Sequence, residues 1–302
     1  MWNLVFSPDE STFASISPQT MYVCSSETGH CISGPFELHN YGNIYDACFS
    51  PDGKRILLGF GSFAVVWDIE MGEEQFKIEG HCFAFIHHDG RIASMHWVDG
   101  HILVKFWDSS NGALIPNRLL EVNDVVVTQF SPDGHFLAVG RKSEDVIELW
   151  TFQDGKDPQR FKYPSGKLSS LYFSPSSDTL MAVFREKPRH IYLWRLDTQE
   201  MVSFSHDFGY EPHVVHSHLT NYLFIRRNHT VEMWDVSMTG SEWIWHTKSP
   251  TTSPAISICP SRDGHRLLVG YLSGSVGMWN MDLEDSTGNR ADTIDTQDDT
   301  SM

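Results

Sequence analysis

Residues 49–68 read FSPDGKRILLGFGSFAVVWD, and this stretch contains the pattern that decides the fold. Pro after Ser and Gly after Asp are typical of a type I turn, so the chain is expected to reverse direction after Phe49. Two apolar runs follow, Ile56-Leu-Leu58 and Ala64-Val-Val-Trp67, with glycines between them. Short runs rich in Val, Ile and aromatic residues, bounded by turn residues, favour β-strands. The stretch therefore predicts short strands joined by tight turns.

The same pattern recurs along the chain at a nearly constant interval. A short apolar segment that ends in an aromatic residue occurs six times, and a degenerate copy ending in Cys precedes them, at positions 24, 67, 107, 150, 194, 234 and 279. The intervals are 43, 40, 43, 44, 40 and 45 residues. Relatives of the Ser-Pro-Asp turn precede most copies, at 6–10, 130–134, 173–177 and 259–263. Units of about 40–45 residues are typical of propeller blades. We predict an all-β fold, a seven-bladed β-propeller of four-stranded antiparallel blades, whose neighbouring sheets cover one another's faces.

Several dipeptides lie in register with these repeats. Trp67-Asp68, Trp107-Asp108 and Trp234-Asp235 sit where the WD-repeat (WD40) family carries its name dipeptide, and Gly80-His81 sits where that family places Gly-His. Residues 1 to about 281 thus resemble a WD-repeat propeller. The low-identity repeats with their Phe-Ser-Pro-Asp-Gly turns further resemble the C-terminal propellers of fungal NACHT-type (STAND) signalling ATPases. With one Gly-His in register, the family's His–Ser–Asp–Trp network should be largely missing.

The last repeat poses a problem of strand count. Six candidate fourth strands lie between consecutive repeats, whereas seven blades need seven. Between Asp282 and Met302 the chain has seven acidic residues and one Arg, with little apolar content. We therefore expect the last blade to lack its outer strand, and we divide the chain into a propeller at 1–281 and an acidic disordered tail at 282–302. An unpaired edge is a liability, so we expect this chain to be a fragment of a longer one or the product of a truncated gene model. The alternative is a three-stranded last blade and a ring that closes imperfectly.

Charge and cysteine content narrow the possible partners. The 302 residues include 22 basic and 39 acidic ones, for a formal charge of −17, which repels nucleic-acid phosphates and anionic lipid. We expect no nucleic-acid partner and no membrane partner. The five cysteines are scattered, without a C-x-x-C pair, and no secretory leader is visible. Reduced thiols and a cytoplasmic location follow as expectations.

A search for catalytic motifs favours a protein without enzymatic activity or cofactor. The phosphate-binding G-x-x-x-x-G-K-[ST] loop and the G-x-S-x-G nucleophile elbow are both absent from the sequence. The densest histidine groups, His81 with 87–89 and His213 with His216 and His218, lack an accompanying metal-site pattern, so we expect no metal. The alternatives are a propeller hydrolase with a metal at its central channel, and a substrate adaptor of a ubiquitin ligase.

Basic residues are concentrated in three consecutive repeats. The turns between the second and third strands of repeats four, five and six carry Arg141, Lys142, Arg185, Lys187, Arg189, Arg226 and Arg227. Such turns should lie along one rim of neighbouring blades. We expect a positive arc that binds an acidic or phosphorylated segment of another protein, the alternative being ordinary solvated loops. The overall prediction is a non-catalytic protein–protein interaction scaffold, the C-terminal sensing or binding part of a larger signalling protein.

Overall fold

The computed structural model describes residues 3–86, 90–99, 101–152, 157–164, 166–185, 189–206, 213–217, 222–227, 230–235, 242–248, 253–280 and 291–294. Every regular element within these ranges is a β-strand. None of the described residues forms a helix long and apolar enough to cross a membrane.

The strands of the first four sheets are β1 (Asn3–Phe6), β2 (Thr12–Ile16), β3 (Thr20–Ser25), β4 (Cys31–Glu37), β5 (Asp46–Phe49), β6 (Arg55–Gly59), β7 (Phe63–Asp68), β8 (Glu73–Glu79), β9 (Cys82–Ile86), β10 (Arg91–Val98), β11 (His101–Asp108), β12 (Leu114–Val122), β13 (Val125–Phe130), β14 (Phe136–Arg141), β15 (Val146–Thr151) and β16 (Gln159–Lys162). Those of the last three are β17 (Leu168–Phe173), β18 (Thr179–Phe184), β19 (Arg189–Arg195), β20 (Met201–His206), β21 (His213–Ser217), β22 (Tyr222–Arg227), β23 (Thr230–Asp235), β24 (Glu242–Lys248), β25 (Ala255–Pro260), β26 (Arg266–Tyr271), β27 (Val276–Asn280) and β28 (Ala291–Ile294).

Each group of four consecutive strands forms one sheet, in which every strand pairs with the next one along the chain. The described residues thus contain seven four-stranded antiparallel sheets, numbered here 1 to 7 in chain order. Short turns suffice between antiparallel neighbours, which is why the repeats need only 40–45 residues each. The predicted four-stranded antiparallel units are confirmed.

The expectation that the last unit lacks its outer strand was wrong. Strand β28 pairs antiparallel with β27, with Trp279 opposite Ala291 and Val276 opposite Ile294. It lies inside the segment 282–302, for which we predicted disorder, and the rest of that segment lies outside the described residues. The reason for the error is that an outer strand needs few apolar side chains. Five of the seven residues of β4, the outer strand of sheet 1, are exposed.

The chain divides into two compact units. Unit A comprises 1–44, 69–72 and 208–302 and contains sheets 1, 6 and 7, whereas unit B comprises 45–68 and 73–207 and contains sheets 2 to 5. Within unit B the first strands of successive sheets pack side by side, β5 on β9, β9 on β13 and β13 on β17. Within unit A, β25 packs against both β21 and β1. The first and last sheets of the chain are therefore direct neighbours.

The core lies between the faces of adjacent sheets. Leu268 and Val276 of sheet 7 form one buried cluster with Phe13 and Cys24 of sheet 1, and Leu4 packs against it. Four of the six recurring Trp residues are buried (Trp67, Trp107, Trp194 and Trp279), and Trp150 and Trp234 are half-buried. The ring of Trp194 in sheet 5, for example, meets the ring of Phe161 in sheet 4 with centroids 6.0 Å apart. Burying a Leu or Phe side chain contributes about 1.5–3 kcal/mol. Sheets too small to bury both faces alone are thus stabilised by their neighbours.

Candidate functional site

The aspartates of the Ser-Pro-Asp turns serve the turns themselves. The hydroxyl groups of Ser7 and Ser131 donate to Asp9 and Asp133 over 2.6 Å, and each serine oxygen accepts a backbone N–H five residues later. Hydrogen bonds from Ser7 and from Ser11 hold the pKa of Asp9 below its ordinary value. These carboxylates therefore brace the chain reversal, as the turn interpretation predicts.

Two arginines at equivalent positions connect neighbouring sheets. Arg266, the first residue of β26, places its guanidinium 5.5 Å from the ring centre of Phe6 and pairs with Glu10 over 3.1 Å. Arg55, the first residue of β6, lies 5.8 Å from the ring of Phe85 and donates to the carbonyl of Ser109. Arginine stacks on aromatic rings while its N–H groups donate elsewhere, which suits it to such a junction. These cations stabilise the fold within units A and B.

Of the predicted basic residues, Lys142 and Arg185 lie in connections between strands, whereas Arg141, Arg189, Arg226 and Arg227 are strand residues beside such connections. They also differ in environment. Arg141 and Arg226 are partly buried, and Arg226 donates to the carbonyl of Ala255 over 3.1 Å. Lys142 and Arg185 are exposed, and Arg185 Nε donates to the Ser169 hydroxyl over 3.3 Å. Lys187 lies outside the described residues, as do the side chains of Arg189 and Arg227.

Arg141 belongs to an ion network inside sheet 4. Its Nη2 lies 2.5 Å from Glu148, whose side chain is 4% exposed. Arg160 approaches the same carboxylate to 3.1 Å, and Trp150 Nε1 donates to it over 3.2 Å. A buried carboxylate requires such partners, because leaving it unpaired is costly. The guanidinium of Arg141 is therefore committed to the fold and is not a free contact for a partner.

Sequence reasoning missed an apolar surface along the same rim in unit B. In sheets 2 to 4, the first strand begins and the second strand ends at the same edge of the sheet. We call this edge the hairpin rim. Four large apolar side chains are exposed there: Tyr45 (59%), Trp97 (44%), Val98 (48%) and Val126 (44%). Scattered apolar residues are ordinary on a surface, whereas several on one edge indicate an interaction site.

A two-residue turn makes sheet 3 project at this rim. Strands β10 and β11 have eight residues each, against five or six in the corresponding strands of sheets 2 and 4. Asp99 follows the last residue of β10 and adopts a positive φ of 48°, which tight hairpin turns require. The extension adds the pairs Trp97–Ile102 and Val98–His101 beyond the end of the shorter sheets. The Asp-Gly dipeptide was the sequence signal that could have revealed it.

Hydrogen bonds hold the rim rigid where sheet 3 passes into sheet 4. The His101 ring bonds to Asn123, and Arg141 donates to the carbonyl of Asn123. Asp124 accepts the backbone N–H of Lys142 at its carbonyl and that of Ser143 at its carboxylate, both over 2.9 Å. A preorganised surface loses less conformational entropy on binding than a mobile loop. The exposed apolar residues are thus displayed on fixed backbone.

A separate group of titratable side chains, Asp46, Cys48 and Cys82, is partly buried on the first strands of sheets 2 and 3. Burial raises the pKa of Asp46 to about 6, although its Oδ1 accepts the Ala47 N–H over 2.9 Å. Burial, and secondarily Asp46, raises the pKa of Cys48 to about 12 and that of Cys82 to about 11. Neither thiol is exposed, and both pKa values are raised, so this group offers no accessible thiol that could react first with an oxidant in solution.

The histidines give a mixed result. In sheet 3 Trp107 Nε1 donates to the Ser94 hydroxyl oxygen over 2.8 Å, and that oxygen lies 3.1 Å from His96 Nε2. Trp107, Ser94 and His96 thus form a hydrogen-bonded chain. Among the residues that the structure describes, no three His, Cys, Asp or Glu side chains form a group that could hold a metal ion. The histidine group at 87–89, where we expect no metal, lies outside that part of the chain, as do the side chains of His213, His216 and His218.

Comparison with solved structures identifies the fold. The chain matches no family model. A chain of the structure described as "Crystal Structure of Mitotic Checkpoint Complex" is similar over 93% of this chain and 86% of that chain, with a TM-score of 0.67 and 16% identity. The β-propeller domain of Cps50 (Swd1) from Myceliophteria thermophila is similar over 92% of this chain and 96% of that chain, with a TM-score of 0.68 and 14% identity. The chain is an all-β propeller built from four-stranded antiparallel blades.

Proposed function

We propose that this chain is a non-catalytic scaffold that binds other proteins, and that its seven sheets are the blades of one WD-type propeller. The observation that carries the proposal is the hairpin rim of unit B, where Tyr45, Trp97, Val98 and Val126 are exposed on a hydrogen-bonded edge. Aromatic side chains of this kind dominate the binding energy of many protein interfaces. One of the similar solved structures is described as a complex, the mitotic checkpoint complex, which agrees with a scaffold role.

The proposed cellular context and the chemistry of the proposed partner are supported mainly by the sequence. The likeness of the repeats to the propellers of NACHT-type ATPases supports a place in a cytoplasmic signalling protein. Lys142 and Arg185, both exposed, support contacts with an acidic or phosphorylated segment of the partner. We leave Arg141 out of this contact because Glu148 neutralises it. A metal-dependent hydrolase remains the alternative, and elemental analysis of the purified protein for stoichiometric metal separates the two.

The test is a charge placed on the apolar rim. Trp97→Glu adds a carboxylate to the exposed side of β10 and should abolish retention of partner proteins in quantitative affinity purification. Leu114→Glu is the matched control, since Leu114 is 49% exposed at the other end of the same sheet. Both variants should unfold at the same temperature as the parent protein. If Trp97→Glu retains the same proteins in the same amounts as Leu114→Glu, the hairpin rim is not the binding surface.

A further inference from the structure

Two cysteines face each other across the last two strands of sheet 1. Cys24 on β3 and Cys31 on β4 are directly paired in the strand register, and their Sγ atoms are 2.9 Å apart. Both are free thiols in this structure. Residues directly opposite in an antiparallel pair have Cα atoms about 4.5 or 5.5 Å apart, within the range that a disulfide spans. The two thiols can therefore be joined without moving the backbone.

The other three cysteines lack this arrangement. Cys48 pairs with Leu57, Cys82 with Met95 and Cys259 with Leu268, so each faces an apolar side chain. Cys24 also stands at the position that the other six repeats fill with Trp. Five of these Trp residues pair with residues of the fourth strand that are not cysteines: Glu74, Leu114, Met201, Trp243 and Ala291. Among these described pairings, that of sheet 1 is the one that combines two thiols.

We propose that Cys24 and Cys31 form a reversible redox site that closes to a disulfide in the presence of a peroxide. The exposed Cys31 sulfur attacks one peroxide oxygen, the O–O bond breaks, and Cys31 sulfenic acid and water are formed. The buried Cys24 sulfur then attacks the Cys31 sulfur, so that the S–S bond forms, the S–O bond breaks and a second water leaves. In sum, two thiols and one hydrogen peroxide become one disulfide and two waters.

Exposure sets the order of these steps. Cys31 is exposed and meets the oxidant, whereas Cys24 is fully buried. Burial, and then the contact with Cys31, raises the pKa of Cys24 well above its ordinary value. Cys24 is thus protected from direct oxidation but lies in contact with the sulfur that is oxidised first, which is the position of a resolving thiol. A dithiol reductant reverses the reaction by thiol–disulfide exchange.

The structural effect falls on strand β4, the outer strand of its sheet. Two register shifts interrupt its pairing with β3, and its side chains are mostly exposed. Little packing therefore opposes local opening of this strand. A bond between Cys24 and Cys31 fastens the beginning of β4 to the buried strand β3, so oxidation converts a weakly held edge into a fixed one.

Thiol counting and hydrogen exchange test the site. The full chain is treated with hydrogen peroxide at a few equivalents, quenched, denatured and alkylated. Of the five cysteines, three should remain reactive (5 − 2), and the peptide that contains residues 24–31 should lose the mass of two hydrogens. Dithiothreitol should restore all five. Amide exchange in residues 31–37 should slow by about tenfold after oxidation.

Cys31→Ser is the informative variant, because residue 31 is exposed and Ser leaves the fold intact. In this variant peroxide should neither form the disulfide nor slow exchange in β4, whereas Cys82→Ser should behave as the parent protein does. The proposal is overturned if all five thiols survive peroxide, if the disulfide joins another pair such as Cys48 and Cys82, or if Cys31→Ser shows the same slowing of exchange.

Discussion

Removing the carboxylate of Glu148 should destabilise the protein far more than removing that of Glu144, its near neighbour. The Glu148 side chain is 4% exposed and accepts from Arg141, Arg160 and Trp150, whereas the Glu144 side chain is 51% exposed and pairs with Arg160 over 2.8 Å. Both residues are glutamates of the same blade, so the comparison isolates burial.

The expected loss in the free energy of unfolding follows from the charge of Arg141, which Glu148→Ala leaves without this partner. Breaking a buried pair costs about 3–5 kcal/mol, because the remaining charge stays buried without its partner. Arg141 is 17% exposed, so water compensates part of this, and we expect a loss of about 3 kcal/mol in the free energy of unfolding. An exposed pair contributes about 0–1 kcal/mol, so Glu144→Ala should cost less than about 1 kcal/mol.

The assay is denaturant unfolding of the single variants and of the double variant Glu148→Ala with Arg141→Ala. Because the double variant removes both charges, it should lose less free energy than the sum of the two single losses. Equal, small losses for Glu148→Ala and Glu144→Ala would refute the assignment of Arg141 to the fold, and would return it to the candidate contacts of the rim.

Two further predictions concern backbone space and pH. A Cβ at Gly134 would lie 1.9 Å from the Phe85 carbonyl oxygen at a φ of 67°, whereas a Cβ at Gly42 meets nothing within 4 Å. Gly134→Ala should therefore lower the free energy of unfolding by about 3 kcal/mol or more, and Gly42→Ala, because of its positive φ, by only about 1 kcal/mol. Similar losses of stability for the two variants in thermal unfolding would contradict this. The pKa of Asp46 is raised from 3.8 to about 6, so the folded state holds the proton more tightly than the unfolded one. The stabilisation from this group is fully present below pH 4 and is lost as the pH rises through about 6. This pH-dependent step in the free energy of unfolding should be missing in Asp46→Asn. An unchanged pH profile in that variant would exclude Asp46 as the cause.

The periodic features of the fold could be predicted from the sequence, whereas the features that depend on strand register could not. The Ser-Pro-Asp turns and recurring Trp residues predicted the four-stranded units because they are local. Strand β28 was missed because an edge strand carries little apolar signal. The ion pair of Arg141 with Glu148 was missed because Glu148 follows the ordinary alternation of β15, and only the register of β14 and β15 brings the two residues together.

In the candidate site, too, the local features could be predicted from the sequence and the features that depend on strand pairing could not. Lys142 and Arg185 lie in connections between strands, as the sequence predicted, whereas Arg141 and Arg226 lie at the ends of strands β14 and β22. Trp97 and Val98 were overlooked because they belong to a hairpin extension that departs from the repeat. Likewise, the pairing of Cys24 with Cys31 depends on a strand register that includes two shifts, which spacing alone does not predict.

The central claim is that the first sheet of the chain packs directly against the last one. Leu4 of β1 lies beside Gly270 of β26, where its Cδ1 is 3.3 Å from the site of a Cβ on that glycine. In protein with labelled Leu methyl groups, nuclear Overhauser contacts should connect the Leu4 methyl protons with the α-protons of Gly270. Contacts from Leu4 that remain confined to sheet 1 would contradict the account.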